Sequence, residues 1–199
     1  MQATDLALRQ LQMVNLLLRN LCSGITEEEW LWRPARGENL IGWTLWHVPA
    51  VQDWAVHTWI QNVEEVRQRP EWAPRVAGRQ LLAFGMTPEE ADEVARLTRP
   101  ADVVAYSDAV LEAATGWLSR LAPDDFDAIP ENRSHQDRDA AYRSPGYLEE
   151  ADTMREQAIW RLLSGACVGH CRGHLGEVDV LLNMRRRGVL NHAGGATQL

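Results

Sequence analysis

Apolar residues recur three and four positions apart along most of this chain, and no stretch alternates apolar with polar residues in the period of two that a half-buried strand requires. The first stripe is Ala7, Leu11, Val14, Leu18 and Leu21, widened by Leu6, Met13 and Leu17, opened by Thr4 or Asp5 and stopped at Ser23-Gly24. A short capped turn at Thr26-Glu27-Glu28-Glu29 comes next. With Asn39 as cap, a second helix is predicted from about Leu40 to Val66, with Trp43, His47, Val51 and Trp54 on one face. Pro49 removes a hydrogen bond to the Leu45 carbonyl and crowds it, at roughly 3 kcal/mol, which predicts a kink or bulge within a turn of His47. Thr87-Pro88-Glu89-Glu90 starts a short helix that ends near Leu97, a third long helix spans about Ala101 to Leu121, and a last one spans about Glu149 to Arg187 before Gly188. Residues Asp124 to Gly146 read as a long polar loop. The pattern predicts an all-α fold: a four-helix bundle with additional short helices and one long loop before the last helix. It is read as a single domain over 1–190, with 191–199 as a flexible tail.

Composition narrows the chemistry. All 20 basic residues are arginine, so Schiff-base catalysis, a pyridoxal-phosphate lysine and a P-loop lysine are excluded. A net charge of −8 argues against nucleic acid as a partner. The run Arg185-Arg186-Arg187 is read as cations favoured by a helix C-terminus. No apolar run is long enough to cross a bilayer, and the first residues lack a signal-peptide pattern, so a cytoplasmic location without membrane attachment is expected. Cys22, Cys167 and Cys171, an odd number, are expected to be reduced thiols.

The remaining chemistry centres on the last helix. His170 and His174 are one turn apart on one face, in a line running Leu163, Cys167, His170, His174, Glu177 and Leu181. Beside it runs a stripe of Leu162, Ala166, Gly169, Gly173, Gly176 and Val180, with Gly165 adding a further glycine. Glycine inside a helix costs about 1 kcal/mol relative to alanine, so close approach of another helix or a bulky aromatic such as Trp43, Trp46 or Trp54 is expected there. Two imidazoles at this spacing can grip a metal ion if a third ligand arrives from another core face, and His47 fits. His57 lies off that face, His135 sits in the long loop and His192 in the tail. Three nitrogen ligands with an open position match a catalytic site. Glu177 is a candidate base or a carboxylate orienting a histidine, equally readable as an exposed charge. Cys167 reads more readily as a small buried apolar residue than as a ligand, and Asp53 as a surface group or one orienting a ligand.

Two blocks carry a resemblance. Glu38-Asn39-Leu40-Ile41-Gly42-Trp43 with Leu45-Trp46-His47-Val48, and later His170-Cys171-Arg172-Gly173-His174-Leu175-Gly176-Glu177, resemble the DinB-like superfamily of metalloenzymes in order and spacing, with the helix pattern matching over about residues 5–187. The resemblance implies a helical bundle, often a homodimer, with a divalent metal (zinc, nickel and iron are not distinguished) on a histidine triad that falls on His47, His170 and His174. Pro49 departs from the family pattern. It also implies an enzyme acting on a small molecule: first a transferase using a low-molecular-weight thiol, second a metal-dependent hydrolase. A non-catalytic dimeric bundle is the competing reading.

Overall fold

The structure, a computed structural model, describes residues 2–77, 85–130 and 135–190. Side-chain caps set several helix starts. Gln2 and Asp5 form a reciprocal box ahead of α1 (Ala3–Ser23), Thr26 and Glu29 ahead of α2 (Glu27–Trp30), and Thr87 and Glu90 ahead of α4 (Pro88–Leu97). Asn39 does not cap α3 (Ile41–Asp53), whose first residue comes after Leu40 in extended conformation. The remaining elements are α5 (Pro100–Leu118), α6 (His135–Arg138), α7 (Pro145–Met154), α8 (Ile159–Leu162) and α9 (Cys171–Arg186). A π-helix, Trp54–Gln61, continues α3, and a second, Leu163–His170, joins α8 to α9.

Four long rods form the bundle. α1 packs on α5 and α9, and α3 packs on α5 and α9, so each rod has two neighbours; α4 lies along α3. The described residues contain no strand, as the periodicity requires. The last rod is shorter than its pattern suggests. The run expected from Glu149 breaks after Met154, where Gln157 N–H returns to the Met154 carbonyl, and restarts at Ile159. The loop before it holds 3-10 turns at Pro123–Asp127 and Ala140–Arg143 besides α6. α3 passes through Pro49 in α geometry, and the departure expected near it appears only from Trp54. The tail from residue 191 and His192 lie outside the described residues.

The glycine stripe faces outward, contrary to expectation. A Cβ built on Gly165, Gly173 or Gly176 meets nothing within 4 Å, and one on Gly169 meets only the Ser164 carbonyl of its own rod. The close approach of an aromatic occurs instead at Gly42. There a Cβ would lie 2.4 Å from the Trp30 indole, which is fixed by an Nε1–H donation to the Ala95 carbonyl at 2.8 Å.

Asp53 is fully buried, not a surface group. Its carboxylate accepts from the Val66 and Arg67 amides at 2.9 and 3.0 Å and from the Tyr106 hydroxyl at 2.7 Å, and lies 2.7 Å from Nδ1 of His57. Burial alone would raise its pKa; the His57 hydrogen bond and charge, with the two amides, outweigh this and hold it below its ordinary value. Buried Glu65 accepts from Arg67 Nε at 2.6 Å, Thr58 at 2.7 Å and Tyr142 at 3.0 Å. This network folds the 62–68 return onto the Trp54–Gln61 segment, where Asn62 takes a left-handed φ of 56°.

At the other end, Arg186 pairs with Glu29 at 2.6 Å and Arg185 with Glu28, so the arginine run ties the last rod to α2 as well as suiting its C-terminus. The Arg186 hydrogen bond chiefly lowers the Glu29 pKa, from the ordinary 4.5 to about 2. A depressed folded-state pKa contributes stability that is complete above 4.5 and is lost as pH falls toward 2. Glu29→Gln is therefore expected to flatten the acid side of the Tm-versus-pH curve in that window. Gly42→Ala is expected to lower stability by about 1–3 kcal/mol, since a fixed indole must shift, and Asp53→Asn by about 3 kcal/mol, since its amide sets donor against donor. Urea unfolding checks both.

Candidate metal centre

The π-helix before α9 places the histidines. A π turn closes i→i+5 rather than i→i+4, so it carries an extra residue and rotates the succeeding residues by about 100°. The buried line accordingly passes from Leu163, Cys167 and Val168 to Cys171, Leu175, Val178 and Leu182. The expected continuous line Cys167, His170, His174, Glu177 is split. Cys167 stays in the core, His170 emerges to the rim, the His174 side chain is 27% exposed and that of Glu177 is 55% exposed. The pair thus sits at the edge of the core, not in its middle.

His47 meets them from inside. It is 4% exposed, and its ring stacks on Trp43, one turn earlier on α3, at 4.7 Å between centroids and 17° between planes. The indole of Trp43 donates from Nε1 to the Met86 sulfur at 3.4 Å, so two large side chains wall this flank. His47 Nε2 lies 3.0 Å from His170 Nε2. Centroid separations are 5.1 Å for His47–His174 and 4.5 Å for His170–His174. One nitrogen from each of the three rings lies within 4.8 Å of the others, and among the described residues this is the group of histidine, cysteine and carboxylate donors able to hold a metal ion.

The donor chemistry suits a divalent ion. Ligands about 2.1 Å from a tetrahedral ion stand about 3.4 Å apart; the His47 and His170 nitrogens are 3.0 Å apart and all three lie within 4.8 Å of one another. Burial, and then the neighbouring His174, hold the His170 pKa below its ordinary 6.5, so its ring is neutral and available as a donor near neutral pH. An all-imidazole set suits zinc, nickel and iron alike. The gradient from buried His47 to exposed His170 leaves the outer side of the cluster open.

The other candidates from the sequence take different places. Glu177 Oε2 is 3.5 Å from Nδ1 of His174, an electrostatic contact too long for a good hydrogen bond. Cys167 is fully buried outside the cluster, and burial pushes its thiol up to about 12; Cys171 is likewise pushed well above its ordinary value. His57 serves Asp53, and His135 is buried with Nε2 at 2.7 Å from the Tyr147 hydroxyl. Met86 escaped sequence reasoning because nothing local marks a methionine between Gly85 and a helix cap as a partner of Trp43.

No described helix is long and apolar enough to cross a membrane. Among curated proteins, no sequence matches this chain. The family profile of the DinB superfamily matches residues 10–148, a span that includes His47 and stops short of His170 and His174, which the fold brings to it. With that match covering well over half of the 199 residues, the chain belongs to the DinB superfamily.

Proposed function

We propose that this protein is a metal-dependent enzyme whose ion is held by His47, His170 and His174, and that it transfers a low-molecular-weight thiol to an electrophilic small molecule. The observation that carries the reading is the convergence of three imidazole nitrogens from two rods within 4.8 Å, with one ring buried and one at the rim. A divalent ion there supplies Lewis acidity that lowers the pKa of a thiol or water at neutral pH. The chain's own part is positional. His47, clamped between the core and Trp43, fixes the inner ligand. His170 and His174 complete the set from the rim, where substrate enters. The thiol comes from outside, because Cys22, Cys167 and Cys171 are all buried in the core. Trp43 and Met86 offer an apolar flank for the acceptor's carbon skeleton.

Hydrolysis is the second reading. Glu177, beside His174, favours it by placing a half-exposed carboxylate where a proton from water can be taken.

Protein purified without a histidine tag is expected to carry about one divalent ion per chain by elemental analysis, and His170→Ala to lose it. Wild type without metal removes the reading. With the ion present, thiol consumption in the presence of a generic alkylating electrophile is expected to exceed that of His47→Ala. Equal rates remove the transferase and leave ester and amide substrates to be tried.

A further inference from the structure

The register of the last rod is held by a side chain from the facing helix. Gln52 is 5% exposed on α3, and its Nε2–H donates to the Cys167 carbonyl at 2.9 Å. Only a donor can meet a carbonyl, so this partner fixes the orientation of the amide. The accepting residue lies within the Leu163–His170 π-helix. A second contact runs alongside: the Cys171 thiol lies 3.6 Å from the Val48 carbonyl and 3.3 Å from the Ala166 carbonyl. Val48 adjoins His47 and Cys171 adjoins His170 in the chain. The two contacts therefore staple the rods beside the 3.0 Å approach between the histidines, following His47 on α3 and bracketing His170 on the last rod.

We propose that Gln52 is a positioning residue for the metal centre: by holding the Cys167 carbonyl it keeps the last rod in its π register and so keeps His170 and His174 turned toward His47. This rests on the reading of the three histidines as metal ligands. The physical argument has two parts. Relaxation of the segment to α geometry rotates His170 by about 100° about the rod and carries it away from His47. A buried amide also costs more than an apolar side chain of equal volume unless it is partnered, and the bulk of this core is apolar. A leucine or methionine packs at this position without that cost, so the glutamine's particular contribution is the bond to the π segment.

The test compares Gln52→Met, equal in bulk without a donor, and Gln52→Asn, a donor one methylene too short, with wild type. Thr98→Val is the control; it deletes a buried hydroxyl that serves the Val94 carbonyl at the end of α4. Each protein is stripped of metal, its melting temperature is measured, and zinc affinity is read by competition with a chromophoric chelator, with the visible spectrum of the cobalt-loaded form as a second readout. Both Gln52 variants are expected to bind zinc about ten-fold or more weakly and to show an altered cobalt spectrum, while Thr98→Val binds as wild type even where its melting temperature falls as far. Zinc affinity within two-fold of wild type in Gln52→Met, or an equal loss in Thr98→Val, overturns the positioning role and leaves the metal reading standing. If wild type and His170→Ala are alike in binding no zinc, the metal reading itself fails and the positioning role falls with it.

Discussion

The candidate centre depends on one helix pair, α3 against the last rod. Each continues into a π-helix, Trp54–Gln61 in one and Leu163–His170 in the other, and the two segments touch. A π segment is less favourable than an α-helix of the same length and persists where tertiary contacts over-determine it. Here those contacts are side chains that donate to its carbonyls and a core dense in tryptophan: Trp46, Trp54 and Trp59 are all almost fully buried. The local conformational cost is offset by burial, and the gain is a rotated face that presents histidine at the rim.

α3 serves two polar tasks in succession. Its first half carries Trp43 and His47 toward the histidine pair. Its end carries Asp53, which gathers two backbone amides, a phenol and an imidazole in the interior. A buried carboxylate with that many donors stays ionised and anchors the 62–68 return to the core. The helix bearing the inner histidine is thereby held at its far end by charge and along its length by aromatic packing. Such rigidity suits the inner-ligand role proposed for His47.

Several parts of this arrangement were legible from local chemistry. The reciprocal caps at Thr26 and Thr87 are formed by residues three positions apart and need no tertiary context. The four long rods arise from apolar spacing. The meeting of His47 with His170 and His174 is foreshadowed by the few histidines on core-directed faces. The outward glycines, the buried Asp53 and the rim position of His170 were not legible, and the reason is shared. Each depends on helical phase or on a partner distant in the chain, and regular 3.6-residue spacing carries a phase error through every π segment. Asp53 looks like an ordinary solvated acid until Tyr106 and the Arg67 amide arrive from elsewhere. The break between Met154 and Ile159 is invisible in the sequence because no proline or glycine marks it.

The sequence by itself determined the helical class, the helix starts capped at Thr26 and Thr87 and the inventory of chemistry: no lysine, buried-type cysteines and a histidine pair one turn apart. These arise from interactions within a turn or two of the chain, where residue type and spacing suffice. Only the tertiary structure decided which side of the last rod faces inward, that Gly42 and not the glycines of that rod receives a tryptophan, and that three histidine nitrogens converge. Those outcomes are set by packing between rods, because the free energy that selects a π register comes from the facing helix and not from the residues that adopt it.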